Sequence, residues 1–399
     1  MSKRKQRKEE KEKVNKISDV KMAYIMYGKK VFVIPIIIAI ILGAVIWGMV
    51  YNTRKNNAPQ ETSDNQKEQI NYIWGEIKPG KRNTNNFTMV TSADGIQVPV
   101  PTGYTASSAS DENSVKGGFV IYEGTEAVTD SNKWDAQCNR NQYVWIPIAD
   151  VSDMYWRNQT TGKKYGTWYN FDKSATTYAK GSNRSYEPQT TSRDIQSTYL
   201  TQYLNGMSRE DFLMEMEIDF DKMLNSVATY GGYYIGRYQA GDLAQATPVI
   251  KRMNTDIGSQ TWYTMWKKSP RISTGGANVH MIWGIQWDET MKWLIDTGEK
   301  TYEEVGYDST SWGNYDNNSF TYYTNTSKST ATKSANSTTR IPSGAYEGAN
   351  ANNVFDLAGN VEDWTLESDG SGTGDNRYGR GGNYNSIGYS DSAAYRDHR

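Results

Sequence analysis

The hydrophobic pattern divides the chain into a short apolar run near the N-terminus and a long, mixed remainder. Residues 31–51 read VFVIPIIIAIILGAVIWGMVY, a run without a charge. As a helix this run would be about 30 Å long, which is the thickness of the hydrocarbon core of a bilayer. It exceeds the apolar core of a signal peptide, and no small-residue cleavage site follows it. The pattern therefore predicts an uncleaved transmembrane signal anchor at residues 31–51.

Beyond this run the pattern predicts short strands and two helices. The strand-like runs are separated by turn residues and lie at 87–90, 96–100, 118–122 and 143–148. A helix is predicted after Ser208, with Asp211 in a capping-box position and Gly231 at its end. Its apolar positions recur at spacings of three and four: Phe212, Met216, Phe220, Met223 and Val227.

Further segments follow from the same pattern. A strand running into a turn is predicted from residue 233. A second helix is predicted from about Asp288, with one apolar face formed by Trp287, Met291, Leu294 and Ile295. Residues 157–200 show no clear period and are interpreted as a long insertion. Residues 308–340 are rich in Asn, Ser and Thr and are interpreted as an exposed loop.

Charge adds an orientation to the membrane prediction. Residues 1–30 carry a net charge of +7, whereas the rest of the chain carries about −8. A basic segment before a membrane helix is held in the cytoplasm, so the remainder is expected outside the plasma membrane, at a bacterial cell surface. This distribution favours a membrane partner and no nucleic acid. Residues 52–74 read as a flexible linker, and residues 75–399 as the outer domain.

The C-terminal half contains three short sequence pieces in a recognisable order. Residues 353–364 read NVFDLAGNVEDW, residues 378–383 read YGRGGN, and residues 393–396 read AAYR. They resemble the signature of the formylglycine-generating and sulfatase-modifying-factor family, which has GLxDMxGNVWEW, RGGS and xAxR in this order.

Two earlier pieces extend the resemblance. Residues 233–240 read YYIGRYQA and are similar to the FxIxxYEV strand of the family. Residues 282–293 read IWGIQWDETMKW and are similar to its VxWxxA entry into a helix. The resemblance is strongest over residues 230–399. It implies an α+β domain with a C-type-lectin-like fold, a small twisted sheet and many loops.

The residues needed for the chemistry of this family are missing. Family oxidases bind copper through two cysteines near the RGG and AxR segments, and residues 383–396 contain no cysteine. A related branch holds iron with histidines, and the two isolated histidines here, His280 and His398, are too few for the usual three-ligand sites. We therefore expect no catalytic residues, no copper and no iron. The lone Cys138 is interpreted as a partly buried structural thiol rather than a reactive one.

The resemblance also implies a candidate calcium site. The family spacing carries over onto the Asp356 side chain, the carbonyls of Gly359 and Val361, and Asp363, where aspartate replaces the glutamate of the family. Calcium binds several carboxylate and carbonyl oxygens that a tight turn brings together. The alternative is that the two aspartates only cap turns, with Val361 and Trp364 in the core.

The last segment contains candidate ligand-binding residues, namely Asn383, Tyr384, Asn385, Tyr389 and Asp391. In the C-type-lectin branch that retroelements diversify, the stretch after Arg-Gly-Gly varies among Asn, Tyr, Ser and Asp on a binding face. Tyrosine and asparagine suit recognition because they offer rigid contact area and adaptable hydrogen bonds. The alternative is an ordinary polar loop. Family members usually continue into a final strand, so a truncated C-terminus is a further interpretation.

The leading hypothesis is a surface-displayed binding or structural module on a lectin-like scaffold, whose ligand is an extracellular glycan or protein. One rival is a formylglycine-generating-type oxidase or a non-haem metal enzyme with an unrecognised site. The other rival is a receptor diversified by a retroelement.

Overall fold

The computed structural model describes the outer domain with several gaps. The described residues are 76–77, 79–80, 82, 86–160, 162–171, 173–184, 206–258, 260–272, 277–368 and 377–398. The predicted cytoplasmic segment 1–30, membrane segment 31–51 and linker 52–74 lie outside them. Within these ranges no helix combines the length and the apolar character that a membrane crossing requires.

The strands of the described residues form small antiparallel sheets. The first half contains β1 (Phe87–Thr91), β2 (Gln97–Pro101), β3 (Tyr104–Ala106), β4 (Val120–Glu123), β5 (Gln142–Pro147), β6 (Tyr155–Arg157), β7 (Lys164–Asn170) and β8 (Ala179–Arg184). The second half contains β9 (Gly232–Gly236), β10 (Phe320–Tyr323), β11 (Thr330–Lys333), β12 (Asn350–Ala351), β13 (Val354–Phe355), β14 (Asp363–Ser368), β15 (Arg377–Arg380) and β16 (Arg396–His398).

The largest sheet has four strands in the order β3-β4-β5-β9. Two three-stranded sheets, β6-β7-β8 and β14-β15-β16, and three hairpins, β1-β2, β10-β11 and β12-β13, accompany it. The α-helices of the described residues are α1 (Lys133–Asn139), α2 (Arg209–Tyr230), α3 (Trp262–Lys268), α4 (Gly284–Asp296) and α5 (Tyr302–Gly306). The expected α+β class is therefore confirmed. The four predicted strands correspond to β1, β2, β4 and β5.

The long helix α2 confirms the predicted period. The Asp211 amide donates to Ser208 Oγ at 3.0 Å, and Gly231 ends the helix with a φ of 85°. A left-handed residue at this place suits glycine, which has no Cβ to clash. The five periodic side chains from Phe212 to Val227 are all buried in the main core.

The second predicted helix begins four residues before Asp288. Its first turn is closed by Gln286, whose Oε1 accepts from the Trp283 amide at 3.1 Å. Nearly every residue from Gly284 to Leu294 is buried, including Asp288 and Glu289. The N-cap residue is Trp283 rather than Ser, Thr, Asp or Asn, so the sequence lacks the usual signal of a helix start, and the predicted start lies too late.

The described part of segment 157–200 is a packed sheet rather than an irregular insertion. Strands β7 and β8 pair antiparallel there, and β6 pairs with β7. Two adjacent lysines attach this sheet to α2. Lys163 Nζ lies 2.5 Å from Glu217 Oε1, and Lys164 Nζ lies 2.6 Å from Asp221 Oδ2.

The prediction of an exposed loop at 308–340 is wrong in part. Strands β10 and β11 form a hairpin, and Trp312, Asn314 and Tyr315 are buried beneath it. The buried Lys333 donates from Nζ to the carbonyls of Tyr315 at 2.7 Å, Asn318 at 3.0 Å and Asp316 at 3.3 Å. The Asn-, Ser- and Thr-rich composition of this segment did not indicate that a buried lysine donates hydrogen bonds to its backbone oxygens.

Candidate functional site

Two arginines of the C-terminal motif and two acids form a closed ring of ion pairs. Arg380 donates to Asp288 Oδ1 at 2.6 Å and to Glu367 Oε2 at 3.0 Å. Arg396 donates through Nε to Glu367 Oε1 at 2.9 Å and through Nη2 to Asp288 Oδ2. Each carboxylate bridges both guanidinium groups. We call these four residues the charge cluster.

The charge cluster joins four elements of the fold. Asp288 lies on α4, Glu367 on β14, Arg380 on β15 and Arg396 on β16. Asp288 and Arg380 are completely buried. The Tyr169 amide on β7 also donates to Asp288 Oδ2 at 2.9 Å. A buried charge costs several kcal/mol unless it is paired, so both motif arginines have a structural role here.

Two glycines of the motif are required by the backbone. Gly359 and Gly381 have φ values of 73° and 86°, and the Gly359 amide donates to the Gly381 carbonyl at 2.7 Å. A Cβ at Gly359 would lie 2.4 Å from the Asn314 carbonyl oxygen. The NVFDLAGN and RGG pieces therefore meet through backbone contacts that leave no room for a side chain.

Three of the four predicted calcium residues, Asp356, Val361 and Asp363, contact the side chain of Gln239, whereas Gly359 is not among its contacts. The Nε2 atom of Gln239 donates to the Val361 carbonyl, to Asp363 Oδ2 at 3.0 Å and to the Asp356 carbonyl at 3.3 Å. The Asp356 carboxylate points elsewhere, because its Oδ2 accepts from the Gly344 amide at 2.7 Å. The structure thus brings Val361 and Asp363 together. It brings the backbone of Asp356 to them instead of its side chain.

Burial raises the pKa of both aspartates at this turn. The pKa of Asp356 rises to about 6, against hydrogen bonds from Gly344 and Ser343 that lower it. The pKa of Asp363 rises to about 7, mainly through desolvation, with a further contribution from the Asp356 charge. Neither carboxylate lies in an ion pair with an arginine or lysine among the described residues. The turn therefore differs electrostatically from the charge cluster.

The candidate ligand-binding residues occupy one surface loop. Asn385 and Tyr389 are exposed, and Asn383, Tyr384 and Asp391 are half-buried. Among the described residues, the exposed large hydrophobic side chains are Ile96, Tyr389 and Tyr395, so two of the three lie in this C-terminal segment. Tyr389 is 52% exposed. The sequence-based prediction did not include Tyr395.

Hydrogen bonds from other segments fix the backbone of this loop. The Ser309 amide donates to the Gly388 carbonyl at 3.1 Å, and the Asp316 amide donates to the Ser386 carbonyl at 2.9 Å. Lys173 Nζ donates to the Tyr389 carbonyl at 2.5 Å. Within the loop, Asn383 Oδ1 accepts from the Asn385 amide at 2.9 Å. The exposed Tyr389 therefore projects from a fixed backbone.

The thiol of Cys138 and the imidazole of His280 have ordinary surroundings. Cys138 lies on α1, half-buried, and burial raises the pKa of its thiol. A raised thiol pKa lowers the reactive thiolate fraction, which agrees with the structural interpretation. His280 Nδ1 lies 2.6 Å from the Met281 carbonyl oxygen, and burial lowers its pKa. The side chain of His398 is not among those that the structure describes.

Among the described residues, no group of three or more His, Cys, Asp or Glu side chains is arranged to hold a metal ion.

The most consequential residues that sequence reasoning missed are Gln239, Asp288 and Glu367. Gln239 follows β9, Asp288 lies on α4 and Glu367 lies on β14, and all three are buried polar residues, which require partners. Other polar residues stand close to each of them along the chain, so local sequence carried no signal for their burial, and the identity of each partner depends on the fold.

Compared with protein-family models, with curated proteins and with solved structures, the chain shows no significant match.

Proposed function

We propose that the chain is a binding module displayed at the cell surface on a sulfatase-modifying-factor scaffold with a C-type-lectin-like fold. Residues 31–51 would anchor it in the plasma membrane and leave the outer domain outside. Three features support the scaffold: the α+β class, the ion pairs of the buried Arg380 and the largely buried Arg396, and the positive-φ glycines that join the motif pieces. The absence of the family cysteines from residues 383–396 argues against its oxidase chemistry.

The observation that carries this proposal is the presentation of Tyr389 and Tyr395. Tyr389 is exposed on a loop whose backbone is held by Ser309, Asp316 and Lys173, and the exposed Tyr395 lies directly before β16. A ring on a fixed backbone loses little conformational entropy on binding, so its contact area contributes more to affinity. Tyrosine combines an apolar face with a hydroxyl group, which suits a sugar ring as well as a protein surface.

Binding of the purified full-length chain to a glycan array tests this proposal. We expect selective binding of a subset of glycans, and loss of that binding in Tyr389→Ser and Tyr395→Ser. Ile96→Ser is the matched control, because Ile96 is comparably exposed at the β1–β2 turn. If the control weakens binding as much as the tyrosine variants do, the C-terminal loop is not the binding face. For a protein ligand, the same variants would be compared in binding to intact cells.

The enzyme alternative makes the opposite prediction. Conversion of cysteine to formylglycine in a sulfatase peptide, together with copper or iron in the purified protein by elemental analysis, would overturn the proposed function.

A further inference from the structure

The side chain of Gln239 lies where the resemblance to the metal-binding family places a cation. Its Nε2 atom lies between the Val361 carbonyl, Asp363 Oδ2 and the Asp356 carbonyl. Gln239 and Asp356 are buried, and Asp363 is half-buried. An amide nitrogen carries hydrogen atoms that oxygens accept, so it can satisfy the same oxygens that a calcium ion would bind.

The orientation of this amide is fixed by a chain of hydrogen bonds that begins at a backbone group. The Ile341 amide donates to Asn360 Oδ1 at 3.1 Å, and a backbone N–H has no alternative role. Asn314 Nδ2 donates to the same oxygen at 3.0 Å and to the Thr339 carbonyl at 3.0 Å. The Asn360 side chain must therefore direct its Nδ2 toward the next side chain of the hydrogen-bond network.

The next side chain of this network is that of Gln239. Asn360 Nδ2 donates to Gln239 Oε1 at 3.1 Å, so the oxygen of the glutamine faces Asn360 and its nitrogen faces the turn. Turning the amide to present oxygen to a cation would set two donors against each other at Asn360. The network thus decides which end of Gln239 points into the turn.

The remaining ligand set does not fit calcium well. Calcium binds six to eight oxygens at about 2.3–2.6 Å, whereas three oxygens converge here on a nitrogen. The carboxylate of Asp356 is directed to Ser343 and Gly344 instead. One oxygen could accept a further donor or cation, since Asp356 Oδ1 is buried without a hydrogen bond.

We infer that the Gln239 amide substitutes for a cation, so that the turn of residues 356–363 is held together without calcium. The family pattern FxIxxYEV has glutamate at this position, and this chain has glutamine. A glutamate would add a negative charge facing Asp363 and would donate no hydrogen bond when ionised. The exchange of glutamate for glutamine therefore removes the need for a positive ion at this turn.

Thermal unfolding and isothermal titration with calcium chloride test the inference on the full-length chain. We expect the wild-type chain to melt at the same temperature in EDTA and in millimolar calcium, with no heat of calcium binding. In Gln239→Glu we expect a lower melting temperature in EDTA at neutral pH, and recovery when calcium is added.

Gln239→Met is the matched control, because it removes the donor without adding a charge. It should melt at a lower temperature than wild type, with no response to calcium. Two results would overturn the inference. One is a calcium-dependent melting temperature of the wild-type chain that Asp363→Asn abolishes. The other is a folded Gln239→Glu variant that is as indifferent to calcium as wild type. The wild-type measurement decides the matter even where Gln239→Glu fails to fold.

Discussion

Two buried ionic sites of this protein are neutralised in different ways. In the charge cluster, two arginines and two acids make four guanidinium–carboxylate contacts in a closed ring. At the other end of β7, Lys164 and Asp221 are buried together, and Lys164 Nζ lies 2.6 Å from Asp221 Oδ2. We call this second site the lysine pair.

The difference shows how the type of cation affects a buried carboxylate. A planar guanidinium group donates along several directions and can hold two carboxylates at once. An ammonium group is a point charge, and its attraction to Asp221 does not offset the loss of hydration of both partners. Burial accordingly raises the pKa of Asp221 to about 6 and lowers the pKa of Lys164. Of the two sites compared, the lysine pair is therefore expected to respond to pH.

The largest effect is expected from opening the ring. Arg380→Met would leave Asp288 and Glu367 buried with one arginine between them. We expect a loss of about 3–5 kcal/mol in the free energy of unfolding, measured by urea denaturation at neutral pH. The control is Lys292→Met, which breaks a partly exposed pair with Asp296 and should cost less than about 1 kcal/mol. Equal losses in the two variants would contradict a special role of the ring.

Another buried cation, Lys333, is bound by carbonyl oxygens rather than by a carboxylate. Lys333→Met removes the donor to the Tyr315, Asp316 and Asn318 carbonyls. We expect a loss of about 1–3 kcal/mol, because buried acceptors are left without partners. Lys328→Met, on the same hairpin but exposed, is the control and should change stability little. A similar urea midpoint for both variants would show that the carbonyl contacts are unimportant.

The lysine pair predicts a distinct pH dependence. The raised pKa of Asp221 means that the folded state holds a proton that the unfolded state releases, between about pH 4 and pH 6. This group therefore makes the protein less stable as the pH rises through that window. In Asp221→Asn the contribution disappears. The stability of the variant relative to wild type should increase from pH 4 to pH 6, measured by urea unfolding at each pH. A difference that stays constant would show that Asp221 does not titrate there.

The smallest effect on stability is expected at the exposed loop. Tyr389→Ser should change the free energy of unfolding by less than about 0.5 kcal/mol, because the side chain is half exposed and lies outside both ionic sites. Thermal unfolding checks this value, and the same variant serves in the glycan experiment. A large loss of stability would mean that Tyr389 packs against the domain, and its role in binding would need a different test.

Particular elements show what local sequence could predict. Helix α2 followed from its apolar period, its Ser208 cap and its terminal Gly231, all of which are short-range signals. The hairpin at 320–333 and the strands at 164–184 were missed, because their alternation is interrupted by Asn, Ser, Thr and Tyr. The start of α4 was displaced, since Trp283 stands at its N-cap in place of Ser, Thr, Asp or Asn.

In the candidate sites, too, local sequence identified some residues but not their distant contacts. The residues of the turn at 356–363 and of the loop at 383–391 were identified from sequence pieces and a family pattern. Gln239 was part of a quoted piece, but its contact with Val361 and Asp363 spans more than one hundred residues. No local pattern encodes such a distance.

By itself, the sequence determined an apolar run long enough to cross a membrane, a periodic helix and a set of glycines and arginines in a recognisable order. Those properties depend on neighbours along the chain. Only the tertiary structure decided that Arg380 and Arg396 share two acids and that an amide faces the predicted calcium ligands. It also decided that Tyr389 projects from a fixed loop and that Tyr395 is exposed. The reason is that pairing in a buried environment depends on which distant groups the fold brings within hydrogen-bond distance.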